Sequence, residues 1–127
     1  MTITTHDPEG APPSPFYSQA AAVTGADRLV FVSGQVGVGA DGVPGDGIAA
    51  QARLAIANLG AALAAAGLTT EHVVKSTIYL TDVAHLEPFM AAAAGGLPTH
   101  RPAITLLVVA GLASPDLLVE IQAVAAA

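Results

Sequence analysis

RPAITLLVVAGLASPDLLVEIQAVAAA, residues 101–127, reads as two strands and the turn between them. The runs 103–109 and 117–125 are apolar and rich in β-branched residues, and both are too short for helices. Gly111, Pro115 and Asp116 supply the turn chemistry between them. One charge interrupts the second run, Glu120, flanked by Val119 and Ile121. A carboxylate in so apolar a strand is costly unless it is solvated, hydrogen-bonded or set at a cleft. Two readings follow: a residue on the solvated face of a strand, or a functional acid whose environment tunes it for proton transfer.

Working back from this pair, 73–80 (VVKSTIYL) is a further strand whose two faces differ. Thr81 or Asp82 caps a second helix over 83–94, which Gly95, Gly96 and Pro98 end. The clearest helix covers 48–66. There Ala52, Ala55, Ile56, Leu59, Leu63 and Ala66 recur at the helical period, while Gln51, Arg53 and Asn58 fall off the stripe. Asp46 is the expected N-cap and Gly67 the expected stop. The glycine-rich run 37–47 is a loop; without a GK[ST] ending it is not a phosphate cradle. The run 28–36 (RLVFVSGQV) is a strand apolar on both faces, and 16–22 (FYSQAAA) a shorter one. Residues 1–15, with four prolines, read as an extended arm. The order ββαβαββ predicts one α+β domain over 1–127, a mixed sheet with both helices on one face. No third helix remains to cover the other face, so self-association is expected there.

Composition narrows the function. The chain has no cysteine, which excludes disulfides, thiolate catalysis and cysteine-based zinc sites. His6, His72 and His85 lack ligand spacing, so no metal site is expected. Net charge is −6 with only four Lys plus Arg, which argues against nucleic acid as a partner. Charged residues make up 11% of the chain, a low share that suits a surface partly hidden in an oligomer. Neither a signal-like N-terminus nor an uninterrupted apolar span is visible, and the expected setting is the cytoplasm, away from membranes.

Taken together the motifs resemble the Rid family, also called YjgF/YER057c/UK114. They are YSQA at 17–20, FVSGQV at 31–36, VVKSTIYLTD at 73–82, RPA at 101–103 and LVEIQAVA at 118–125. The resemblance implies a chorismate-mutase-like fold, a homotrimer with ligand clefts between subunits, and cofactor-free hydrolysis of imines or enamines. It makes Tyr17 a cleft wall, Ser33, Gly34 and Gln35 a site turn, and Glu120 the residue that positions water. The arginine that grips a substrate carboxylate in deaminating members is replaced here by Ile104, and the usual second-helix asparagine falls near Ala93. An Arg–carboxylate fork is a strong, geometry-fixing contact that isoleucine cannot replace. Arg101, three positions earlier, is the candidate substitute; its alternative is a loop arginine at a strand start.

Three functions compete on this sequence. One is an enzyme that hydrolyses or tautomerises a small imine or enamine other than a simple 2-imino acid, with Glu120 as general base or water holder. Another is a trimer that binds a metabolite without turning it over. The third, a ribonuclease, ranks last because the negative charge repels a polyanion. Ser33 lacks a His/Asp partner pattern, which argues against a serine nucleophile.

Overall fold

The computed structural model describes residues 1–127. Its strands are β1 (Thr2–His6), β2 (Ala20–Thr24), β3 (Leu29–Val36), β4 (Val73–Leu80), β5 (Ala103–Val108) and β6 (Val119–Ala126); its helices are α1 (Gly47–Ala65) and α2 (Leu86–Ala93). Four strands form a mixed sheet in the order β3-β6-β4-β5, with β4 and β5 parallel and the other pairs antiparallel. The parallel pair requires a crossover, and α2 supplies it.

Two differences from expectation lie at the N-terminus. Residues 2–6 of the expected arm pair with β2 as an antiparallel two-stranded ribbon. The strand expected over 16–22 begins only at Ala20, because Ser18 instead bridges Ala103 on the outer edge of β5.

Both helices pack on one face of the four-stranded sheet. Ala52, Ala55, Leu59 and Leu63 of α1 meet Ile78, Leu80, Val119, Ile121 and Ala123 in one buried cluster that includes Phe89 of α2. Alanines at the contact let α1 lie close to the strands. Gly67, at φ +76, ends α1 as its sequence suggests. Asp46 sits at the N-cap position but makes no side-chain capping bond. Asp82 does cap, its Oδ1 accepting from the Ala84 amide at 2.8 Å; a single 3₁₀ turn over Val83–His85 then precedes the shorter α2.

Of the three polar residues off the α1 stripe, Arg53 is exposed, but Gln51 and Asn58 turn inward to backbone groups. Gln51 is buried, donating to the carbonyls of Gly45 (3.1 Å) and Asp116 (2.9 Å) and accepting from the Leu118 amide (2.8 Å). Asn58 donates to the carbonyls of Val36 and Val38, both at 2.9 Å. The helix thus anchors the loop after β3 and the β5–β6 loop through side-chain amides, which satisfy backbone groups no strand pairs.

The opposite sheet face is open. It carries Leu29, Phe31 and Leu107, with Phe31 74% and Leu107 44% exposed. Glu120, Gln122 and Val124 share that face by the two-residue period of β6.

Candidate functional site

The site residues read from sequence fall into two groups on opposite faces of the sheet. The first lines a cavity of about 710 Å³ between the outer edge of β5, α2 and the segment leading into β2. Ile104 and Leu106 enter it from β5, alternating with residues of the open face. Tyr17 and Gln19 form the wall opposite, with Phe16 beside them. They are held there by backbone: the Ser18 amide donates to the Pro102 carbonyl at 3.1 Å, and the Gln19 amide to Asp7 Oδ1 at 2.9 Å. The helix side consists of Leu86, Glu87 and Met90, with Leu97 from the following loop.

Arg101 does not reach this cavity. Its Nη1 donates to the Ser14 carbonyl at 2.9 Å, and its Nη2 lies 3.4 Å from Asp7 Oδ2. Its backbone φ of 54° is left-handed, the one such value at a non-glycine residue. The cation straps the N-terminal segment that carries Tyr17 and does not stand in for a substrate clamp. Ala93, where the resemblance put a second-helix asparagine, is buried in the core; the α2 positions facing the cavity are Leu86, Glu87 and Met90.

A polar cluster fixes the loop that brings Leu97 and Ile104 into position. Glu71 accepts from the Thr99 amide and hydroxyl, each at 3.1 Å, and His100 Nδ1 lies 3.3 Å from its carboxylate. His100 Nε2 stands 2.6 Å from the Val73 carbonyl, a contact that needs the proton on Nε2. The Thr99 amide above all, aided by the Thr99 hydroxyl and His100, holds the Glu71 carboxyl below its usual range; partial burial opposes them.

The second group sits on the open face. Glu120 pairs in register with Val36 of β3 and Tyr79 of β4 and is half-buried. Between Val32 and Gln35 the β3–β6 register shifts, leaving Ser33 and Gly34 as a bulge. The Glu120 carboxylate lies over that bulge: a Cβ built on Gly34 would overlap it, with Glu120 Cδ only 2.6 Å away. Ser33 is exposed, its carbonyl accepting from Gln35 Nε2 at 3.0 Å. Beside Glu120, Tyr79 donates its hydroxyl to Gln122 Oε1 at 2.9 Å. Ser33, Gln35 and Glu120 are therefore neighbours, while Tyr17 and Ile104 are not among them. Within one subunit, a molecule resting on Ile104 has the sheet between itself and Glu120.

Sequence reasoning missed Phe16, Glu87, Met90 and Leu97. The 3.6-residue period of α2 groups Leu86, Glu87 and Met90, but which side of that helix faces a cavity depends on its packing.

A family profile described as Endoribonuclease L-PSP matches residues 9–127. The chain is 48% identical over 62 residues to the RutC family protein YjgH of Escherichia coli K12, covering 49% of this chain and 47% of that protein. It is 43% identical over 70 residues to the 2-iminobutanoate/2-iminopropanoate deaminase of Rattus norvegicus, covering 53% and 48%. The match thus spans about half the length of these two curated relatives. The crystal structure of the conserved Rid-family protein YyfB of Yersinia pestis, of unknown function, superposes with a TM-score of 0.83 at 33% identity, covering 100% of both chains.

Proposed function

The chain belongs to the Rid (YjgF) family and has its chorismate-mutase-like α+β fold, and from that premise we propose that it hydrolyses a reactive imine or enamine in a cleft completed by a second copy of itself. The observation that carries this reading is the separation of Tyr17 and Ile104 from Glu120 on two faces of one sheet. Exposed Phe31 and Leu107, on the same face as Glu120, give the open face the apolar surface that association would cover. A homotrimer of the 12.5 kDa chain, as the sequence motifs imply, would repeat the cleft at each interface.

In this mechanism Tyr17 and Ile104 of one copy hold the hydrocarbon part of the substrate, and Glu120 of the next orients a water at the C=N carbon. Glu120 takes a proton from the water as its oxygen bonds to carbon, giving a carbinolamine. With the substrate as its iminium ion the carbinolamine is neutral. Returning the proton to nitrogen makes ammonia the leaving group, and as the C–N bond breaks the hydroxyl gives its proton to Glu120, leaving a carbonyl compound and ammonia. Ribonuclease activity has little physical support: net charge is −6, Arg28 is spent on the Ala66 carbonyl and Arg101 on the N-terminal segment.

The test joins light scattering with ammonia release from a panel of freshly generated imines. The wild type should scatter as a trimer. Glu120→Gln should keep that mass and lose about 100-fold or more of the turnover, the usual scale of general base catalysis. A monomer at micromolar concentration, or full turnover by Glu120→Gln, would overturn the mechanism. Binding of imine analogues without turnover by the wild type would leave a metabolite-binding trimer, a reading that the replacement of the arginine by Ile104 favours.

A further inference from the structure

We propose that the ligand of this cleft is a hydrophobic cation, a protonated imine or amine with a hydrocarbon body and no carboxylate, and that Glu87 is the residue that selects it. This rests on the reading above that the cavity beside Ile104 is the ligand site. Eight of the eleven residues lining the cavity are hydrophobic, and its one formal charge is Glu87. No lysine, arginine or histidine lines it. The cations of the chain are committed or distant. Arg101 straps the N-terminal segment, Arg28 donates to the Ala66 carbonyl, Lys75 donates to Thr77, and Arg53 is exposed on α1.

Charge complementarity then decides the ligand. A carboxylate entering this cavity gives up hydration, finds no positive side chain and meets Glu87. A protonated imine gains where the carboxylate loses. It can pair with Glu87, which is exposed at the cavity wall and makes no side-chain hydrogen bond or ion pair within the chain, and the aromatic side chains of Phe16 and Tyr17 belong to the same lining. Met90, Leu97, Ile104 and Leu106 take the hydrocarbon. The volume suits a ring or a chain of several carbons, well beyond a three-carbon imino acid. Turnover of such a ligand balances as iminium plus water giving aldehyde or ketone plus ammonium, with no co-reactant.

The probes are benzylammonium, benzoate and benzyl alcohol, which share one ring and differ in charge. Each is titrated by calorimetry into the assembled protein near neutral pH and low salt. Benzylammonium should bind at least about ten-fold tighter than benzoate, on the strength of one ion pair plus cation–π attraction. Glu87→Gln should weaken benzylammonium by about five-fold and leave benzyl alcohol unchanged. Ile104→Arg, which adds a cation to the same wall, should turn the preference toward benzoate. The roughly five-fold effect of Glu87→Gln on benzylammonium should persist in a Glu120→Gln background, which loses imine turnover. Benzoate binding as tightly as benzylammonium, affinity indifferent to Glu87→Gln, or no binding of any probe would each overturn the proposal. Selective amine binding without imine hydrolysis would sustain this proposal and sink the hydrolytic one. Fast hydrolysis with a preference for carboxylates would do the reverse.

Discussion

Replacing Arg101 by alanine separates two uses of the same cation, as a strap on the N-terminal segment or as a substrate clamp. In the structure its Nη1 donates to the Ser14 carbonyl at 2.9 Å, and its Nη2 faces Asp7 at 3.4 Å. The first contact is half-buried and charge-assisted, worth roughly 1–1.5 kcal/mol after allowance for solvent. The second joins side chains 36% and 42% exposed and adds about 0–1 kcal/mol. The left-handed backbone at this position costs alanine as much as arginine, so it cancels from the comparison. The expected loss is about 1–2 kcal/mol, a fall in melting temperature of roughly 3–10 °C for a chain of this size. Thermal unfolding followed by circular dichroism, at matched protein concentration, measures it. Limited proteolysis should also cut Arg101→Ala faster than wild type between Asp7 and Ser18, where the strap is lost. An unchanged melting temperature together with a ten-fold loss of carboxylate binding would show the guanidinium working in the cleft, and the strap assignment would fail.

Two further outcomes test the interactions that position the site. Gln51→Leu leaves the Leu118 amide and the carbonyls of Gly45 and Asp116 without their partner, which should cost about 3 kcal/mol at about 1 kcal/mol per bond; a denaturation midpoint within error of wild type would mean that those loops hold without it. Glu71 has its pKa lowered on folding, so its contribution is present above about pH 4.3 and fades as pH falls through the lower folded value. The melting-temperature gap between wild type and Glu71→Gln should therefore narrow as the pH is lowered from 7 through the carboxylate range, and a gap that does not narrow would refute the assignment.

The strands and helices of the sheet were legible because their signals are local. Period-2 runs gave β3 through β6 to within two residues, and the α1 stripe together with Gly67 gave the long helix. Glu120 stood out as a lone charge in an apolar strand, and the structure sets it on the open face over the Gly34 bulge. Non-local facts were hidden. Nothing near Tyr17 or Ile104 says that they lie across the sheet from Glu120, because that depends on the order β3-β6-β4-β5 and the parity of each pairing. Gln51 looked like a surface residue because its three partners sit in other loops, two of them more than 60 residues away. Ribbon β1–β2 was obscured by the prolines between its two strands, and Glu87 by the orientation of α2.

The seam between the N-terminal segment and β5 sets a timetable for biosynthesis. Arg101 and the Ser14 carbonyl it binds are 87 residues apart in sequence, and Asp7 is 94 residues from it. At ribosomal rates of about 5–20 residues per second, the segment bearing Tyr17 would wait roughly 4–17 s for its partner. Until then Phe16 and Tyr17 have no β5 to lie on, and only ribbon β1–β2, which is local, can form. An isolated two-stranded ribbon is marginal in water. The cavity is therefore among the last features this chain can complete, and a nascent chain stalled before β5 would display two aromatic residues to whatever chaperones attend the tunnel exit.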